Sequence, residues 1–209
     1  AFIRKRNMYY ICPNIVLPLT KNERLAFADL AGPSVVDWFV SHYWGMPFKH
    51  FVGSIDKHAK SVAGADWKKV SYWVCTFSNN QWKVADEVGN GDWHESSFFK
   101  ALRSGVCKGT AMVLDDQALP LTRSWCLFEV LQTRLLEEDD PKFAGLLLCT
   151  SSGVLNYGTA SMDAATALAQ RLSTLRLQDA QASCLEDKQM IESLVESMSG
   201  GFEVMNDFV

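Results

Sequence analysis

In the stretch LPLTRSWCLFEVLQT (119–133) one carboxylate, Glu129, interrupts an apolar run between Phe128 and Val130. Pro120 and Thr122 are residue types that open a helix. A helix then puts Trp125 and Glu129, four residues apart, on one face. A carboxylate so placed lies on a solvated face, pairs with Arg123 or Arg134, or is kept for work on a ligand. His42, Tyr43 and Trp44 follow an apolar run directly, where a strand would end. Asp115 and Asp116 are the right type for a cation, but adjacent acids more often cap the next helix. The histidines 42, 50, 58 and 94 lack zinc spacing, so no metal is expected. GxGxxG, GxxxxGK[ST] and GxSxG motifs are absent, which disfavours classical dinucleotide, nucleoside triphosphate and serine-hydrolase sites.

The elements that must position these residues alternate. VVDWFVS (35–41), VSYWVCTF (70–77), GTAMVLD (109–115) and AGLLLCT (144–150) are short, apolar or β-branched strand candidates, and STLRL (173–177) is a weak fifth. Between them lie helical patterns: Phe48, Phe51, Val52, Ile55, Ala59 and Val62 at helical spacing, then 96–105, 122–138, 163–172 and 183–198. Ser183 and Glu186 suit a capping box for the last, with Gly200 as its stop. Strand alternating with helix predicts a flavodoxin-like, doubly wound sheet of five parallel strands with helices on both faces. Ligands of such sheets bind beyond the carboxyl ends of the strands, which directs attention to 42–46, 78–82 and 115–117. Residues 1–33 read as an N-terminal extension, extended over 1–19 because of Pro13 and Pro18, then a short helix capped by Thr20 and Glu23 and ended by Gly32. The domain proper is expected over 34–209. The segment SNNQWKVADEVGNGDWHES (78–96) has no periodicity and carries Trp82 and Trp93, suited to stacking on a flat ring or folding back on the core.

The chain has 209 residues, 48% of them hydrophobic, and a formal net charge of -4, which is ordinary for one globular domain and unlike a nucleic-acid binder. The basic cluster IRKR (3–6) reads as a solvated tail. Six cysteines occur without a CxxC pair, most within apolar runs. They read as reduced core residues of an intracellular, cytoplasmic protein. No apolar run approaches the roughly 20 residues of a membrane span.

Two stretches carry a resemblance. VVDWFVSHYWG, through Asp37, Phe39, Val40 and Ser41, resembles the opening strand of Toll/interleukin receptor (TIR) domains. SWCLFEV, with Ser124, Trp125, Cys126 and Glu129, resembles a later helix of that family, preceded by the similar apolar strand GTAMVLD. The likeness covers roughly 34–150 and marks a divergent branch. His42, Tyr43 and Trp44 replace a simpler strand end, and Asp115 and Asp116 stand where the family commonly has serine. The resemblance implies an NAD+ glycohydrolase, with cyclisation of the product as a variant outcome, and makes Glu129 the catalytic carboxylate. NAD+ is then a substrate, and no cofactor is implied. A carboxylate beside the ribose stabilises the oxocarbenium character that builds as the C–N bond breaks. Nicotinamide in NAD+ is already a cationic leaving group, so no general acid is needed. Position and chemistry add His42, Trp44, Asn80, Trp82 and Trp125 as candidate substrate contacts, the aromatics for stacking and Asn80 for ribose or amide. The family also implies self-association. Two other readings stay open: an interaction module in which Glu129 is structural, and another glycosidic-bond enzyme similar to nucleoside deoxyribosyltransferases.

Overall fold

The computed structural model describes residues 6–209. It is an α/β protein built on a four-stranded parallel sheet in the order β2-β1-β3-β4. The strands are β1 (Trp38–His42), β2 (Tyr72–Val74), β3 (Thr110–Val113) and β4 (Leu146–Cys149). This order is compatible with a flavodoxin-like winding, in which the chain leaves β1 first to one side and then to the other.

Side-chain alternation along the strands divides the core into two layers. Phe39, Met112 and Leu146 face the long helix Ser124–Asp139 and the helices beyond it. Trp38, Val40, Ala111, Val113, Leu147 and Cys149 face the other way, Val40 and Val113 in one cluster with Phe51 of the helix Phe48–Ala63. Thr110 marks the first layer, its hydroxyl meeting that of Thr133 at 2.6 Å inside the core. Each fully buried leucine or phenylalanine contributes about 1.5–3 kcal/mol.

The helix Ser124–Asp139 forms from good helix formers over four turns, and nine of its residues are buried. It ends where Asp140 turns extended before Pro141, the conformation a following proline favours. The helix Phe48–Ala63 starts after Pro47 and stops at Gly64, whose φ is +53°. Its buried stripe is Phe51, Ser54, His58 and Ala59, while Val52 is exposed.

The fifth strand does not form. Leu175 N–H turns back to Arg171 O, and Leu177 N–H donates to Asn206 Oδ1 (2.9 Å), so both peptide groups are satisfied without a strand partner. The outer edge of β4 is taken by a side chain instead. Leu148 N–H donates to Asn156 Oδ1 (2.7 Å), and Asn156 Nδ2 donates to Leu146 O (3.1 Å). One amide thus imitates a strand and blunts the edge. β2 is also shorter than its apolar run, because Val74 N–H donates to Ser78 Oγ and the chain turns helical over Cys75–Ser78.

Residues 8–20 are helical where extended chain was expected; residues 1–5 of that expectation, with most of the basic cluster IRKR (3–6), lie outside the described residues. Met8–Ile11, Cys12–Val16 and Leu17–Thr20 run on as one helix whose middle part is π-type, with Leu17 N–H reaching back five residues to Cys12 O. Pro13 and Pro18 each fall in the first turn of a piece, and the widened middle accommodates them. Met8, Ile11 and Val16 pack in one cluster with Val40, Met46 and Phe51. Thr20 closes this helix by donating to Val16 O and does not open the next, which spans Phe27–Ala31 and ends at Gly32. The expected Ser183–Glu186 capping box is likewise absent. Glu186 accepts from Cys184 Sγ, and the helix Leu185–Ser197 has no side-chain cap.

Candidate functional site

A cavity of about 530 Å³ opens beyond the carboxyl ends of β1 and β2. His42, Tyr43 and Trp44 come from the end of β1, and Cys75, Asn79 and Gln81 from the turn after β2. Arg123, Trp125, Cys126 and Glu129 come from the start of the long helix. Tyr9 and Cys12 of the N-terminal helix close one side, and Gln181–Ser183 with Asp187 close another. This volume lies within the range of ordinary small-ligand sites.

Glu129 is 4% exposed, and its Oε2 has no hydrogen-bond partner. Neither arginine reaches it. Arg134 pairs with Glu138 at 2.8 Å, and Arg123 donates to Ser183 Oγ. Burial pushes the Glu129 carboxyl up from 4.5 to about 8, an effect that Ser41 and Cys126 offset only in part. The helix places it there by period. Thr133, one turn on, donates to Glu129 O and holds the same face against β3. Glu129 therefore looks along the sheet toward the buried hydroxyl of Ser41 in β1, which with Cys126 is the polar neighbourhood it has.

His42 is 5% exposed and packs on Phe51, with ring centroids 4.9 Å apart. Burial lowers its pKa to about 4, so the ring is neutral. A neutral imidazole offers one donor and one acceptor, and here neither nitrogen makes a well-formed hydrogen bond, the Val40 backbone offsetting the burial only in part. Trp44 donates from Nε1 to Cys75 Sγ (3.2 Å) and meets Tyr9 edge-on at 5.6 Å. Trp125 donates from Nε1 to Asp187 Oδ2 (2.9 Å), tying the long helix to Leu185–Ser197, and stacks on Phe98 at 5.1 Å.

Four of the six candidate residues, Glu129, His42, Trp44 and Trp125, thus share one cavity. Asn80 and Trp82 do not line it. Asn80 donates to Arg24 O, takes Trp82 N–H on its Oδ1, and gives its own N–H to Glu87. Trp82 donates to Thr20 Oγ1 (3.0 Å) and packs under Arg24. Their neighbours Asn79 and Gln81 line the cavity instead. The helical turn after β2 rotates the register, and strand alternation could not reveal that. Trp93 folds back on the core, edge-on to Phe99 and Phe128. The cavity residues that sequence reasoning missed include Arg123 as a wall residue, Cys75, Tyr9, Asp187 and Gln181–Ser183. Arg123 adjoins the SWC stretch and carried a visible signal. The others reach the cavity only through tertiary packing.

Asp115 accepts from Gln117 and Leu119 N–H and so holds the turn after β3, but it is not the helix cap expected of it: Ala118 stands at the N-cap of Leu119–Thr122, without a side-chain bond. Among the described residues, no group of three or more His, Cys, Asp or Glu is placed to hold a metal ion, and no helix is long and apolar enough to cross a membrane. All six cysteines are free thiols.

The arrangement can do one thing well. It offers an apolar, aromatic-walled space with a buried carboxyl group that forms no ion pair with any basic side chain among the described residues. A ligand bearing positive charge, or developing it, would find its complement there. Comparison with protein families, with curated proteins and with solved structures finds no match to this chain.

Proposed function

We propose that the protein is a TIR-like NAD+ glycohydrolase, breaking the nicotinamide–ribose bond in intracellular signalling or defence. The observation that carries this reading is the buried Glu129 carboxyl, its Oε2 without a hydrogen-bond partner, in the wall of a cavity at the carboxyl ends of the strands. The reaction splits the bond between ribose C1′ and the pyridinium nitrogen, and the bonding pair leaves with neutral nicotinamide. Positive charge moves onto C1′ and the ring oxygen, where ionised Glu129 stabilises it. Water then adds to C1′, and its proton passes to Glu129 or to solvent.

A group held at about 8 is mostly protonated at neutral pH. The cationic pyridinium of the substrate opposes that, since a nearby positive charge favours the ionised acid. Substrate binding and ionisation of Glu129 therefore support each other. Trp44 and Trp125 supply flat apolar surface for the nicotinamide or adenine ring, and the ring nitrogens of His42 supply polar contacts. Cyclisation would follow if adenine, rather than water, reached C1′. Self-association belongs to the same proposal as the condition under which the site works.

The test is nicotinamide release by concentrated protein, wild type beside Glu129→Gln, with products separated by chromatography. Release by the wild type that Glu129→Gln abolishes is the expected result. No release at any concentration, including with a crowding agent, would overturn the enzymatic reading and leave a TIR-like interaction module.

A further inference from the structure

We propose that Arg123 is the anion-binding residue of the cavity and makes it selective for the diphosphate of a dinucleotide over the dephosphorylated riboside. This rests on the N-glycosidic reading above and extends it to the other end of the substrate.

Among the described residues, Arg123 is the one lysine or arginine that lines the cavity, and none of their carboxylates pairs with it. Its side chain makes one long hydrogen bond, from a terminal nitrogen to Ser183 Oγ (3.4 Å), and lies 5.9 Å from the centre of the Tyr43 ring. A guanidinium carries five N–H donors in a planar fork that matches phosphate oxygens, so most of its capacity is unspent. Its backbone, in contrast, is clamped. Arg123 bridges Gln181, with Gln181 N–H donating to Thr122 O (2.8 Å) and Ser124 N–H to Gln181 O (3.0 Å). The cation is thus mounted on a fixed point of the rim. The long helix starts at the next residue and adds the positive end of its dipole to the same place.

Charge is then laid out along the cavity in an order that fits the substrate. Glu129 lies six residues on from Arg123, which stands at the N-cap of the helix that carries it, about 9 Å along the axis at roughly 1.5 Å per residue. A ligand spanning the two has its positive charge at one end and its negative charge beyond the ribose. Pyridinium, ribose and diphosphate come in that sequence in NAD+. The other two cavity carboxylates do not compete for the cation at ion-pair distance. Asp187 takes Trp125 Nε1–H, and Glu87 takes Asn80 N–H.

The experiment compares the full chain with Arg123→Gln and Arg123→Lys. Binding of ADP-ribose is measured by calorimetry, and cleavage is measured on NAD+ and on nicotinamide riboside, which lacks the diphosphate. For Arg123→Gln the expected results are ADP-ribose binding weakened about 10- to 100-fold, the KM for NAD+ raised by a similar factor, and a much smaller loss in riboside cleavage. Arg123→Lys retains part of the affinity as a point charge without the fork. Unchanged ADP-ribose affinity in Arg123→Gln overturns the proposal, as does an equal loss toward the riboside, which would mark a general structural defect. Failure of ADP-ribose to bind the wild type overturns it too. The glycohydrolase reading stands or falls separately on nicotinamide release and its dependence on Glu129.

Discussion

A carboxyl that prefers to be neutral in the folded protein leaves a trace in stability that needs no substrate. The Glu129 pKa rises from 4.5 to about 8, so between those values the native state holds a proton that the unfolded chain has lost. Stability then falls as pH rises, at about 1.4 kcal/mol per pH unit. His42 and His58 act in the opposite sense. Both are held at about 4 against 6.5, so between these limits the unfolded chain binds two protons that the native state refuses. From pH 4.5 to 6.5 the two histidines outweigh the glutamate by one proton, and stability climbs. Above 6.5 the histidines are neutral in both states and Glu129 acts alone. The buried thiols, ordinarily at 9.0, enter only later.

The expected profile is a maximum near pH 6.5 and a fall of about 2 kcal/mol by pH 8, or about 4–8 °C in Tm for a chain of this size. Glu129→Gln keeps the shape of the protonated side chain and removes the titration. It should abolish the alkaline limb and leave the acid limb in place. The slope carries the argument, since a buried amide also adds a pH-independent offset. Thermal melts of both proteins at half-unit intervals from pH 5 to 8.5 provide the measurement. A wild-type Tm that is flat or rising between 6.5 and 8, or the same fall in Glu129→Gln, would refute the reasoning.

The same ionisation should govern turnover. With Glu129 active as the carboxylate, kcat/KM for NAD+ should rise about tenfold per pH unit below pH 8 and level off above it, and a flat profile would remove Glu129 from the rate-determining ionisation. Asn156→Ala should cost about 1–3 kcal/mol, read from denaturant midpoints, by leaving the Leu148 N–H and Leu146 O of β4 without their partner, and should raise aggregation on heating. Gly109→Ala should destabilise by about 1–3 kcal/mol, because its new methyl carbon would lie 2.6 Å from the Trp38 ring and 3.2 Å from Gly145 O; a neutral effect in the same denaturation assay would show that the strand entry yields there.

Legibility in the sequence followed burial. β1, β3 and β4 are short runs enclosed on both faces; β3 and β4 lie within the stretches expected of them, and β1 runs one residue past its own, to His42. The helices Phe48–Ala63 and Met162–Leu172 keep their period because one face meets the core, while Ser124–Asp139 is legible as a continuous apolar run, buried all round from Cys126 to Thr133. STLRL misled because Leu177 is buried from an irregular turn, and burial alone does not set a backbone conformation. Residues 8–20 misled because two prolines argue against a helix unless a π-type stretch makes room. In the cavity, Glu129 was visible as a charge inside an apolar run. Its isolation was not, because that depends on where Arg123 and Arg134 point. The exchange of Asn80 and Trp82 for Asn79 and Gln81 turns on a single turn of helix, a choice that local composition leaves open.

The N-terminal helix changes what counts as a unit in this protein. By repeat pattern, the strand–helix alternation begins after residue 33. By contact, Met8, Ile11 and Val16 belong to the same apolar cluster as Val40 and Phe51, and Tyr9 and Cys12 form a wall of the cavity. A fragment cut at the pattern boundary would bare that cluster and unroof the site together. The stretch ahead of the first strand is therefore tied to the sheet as tightly as one helix is tied to another. Substitutions at Ile11 and at Phe51 are coupled by packing, and anything that pulls on the N-terminus, whether a fused neighbour, a cleavage or a bound partner, pulls on the cavity wall as well.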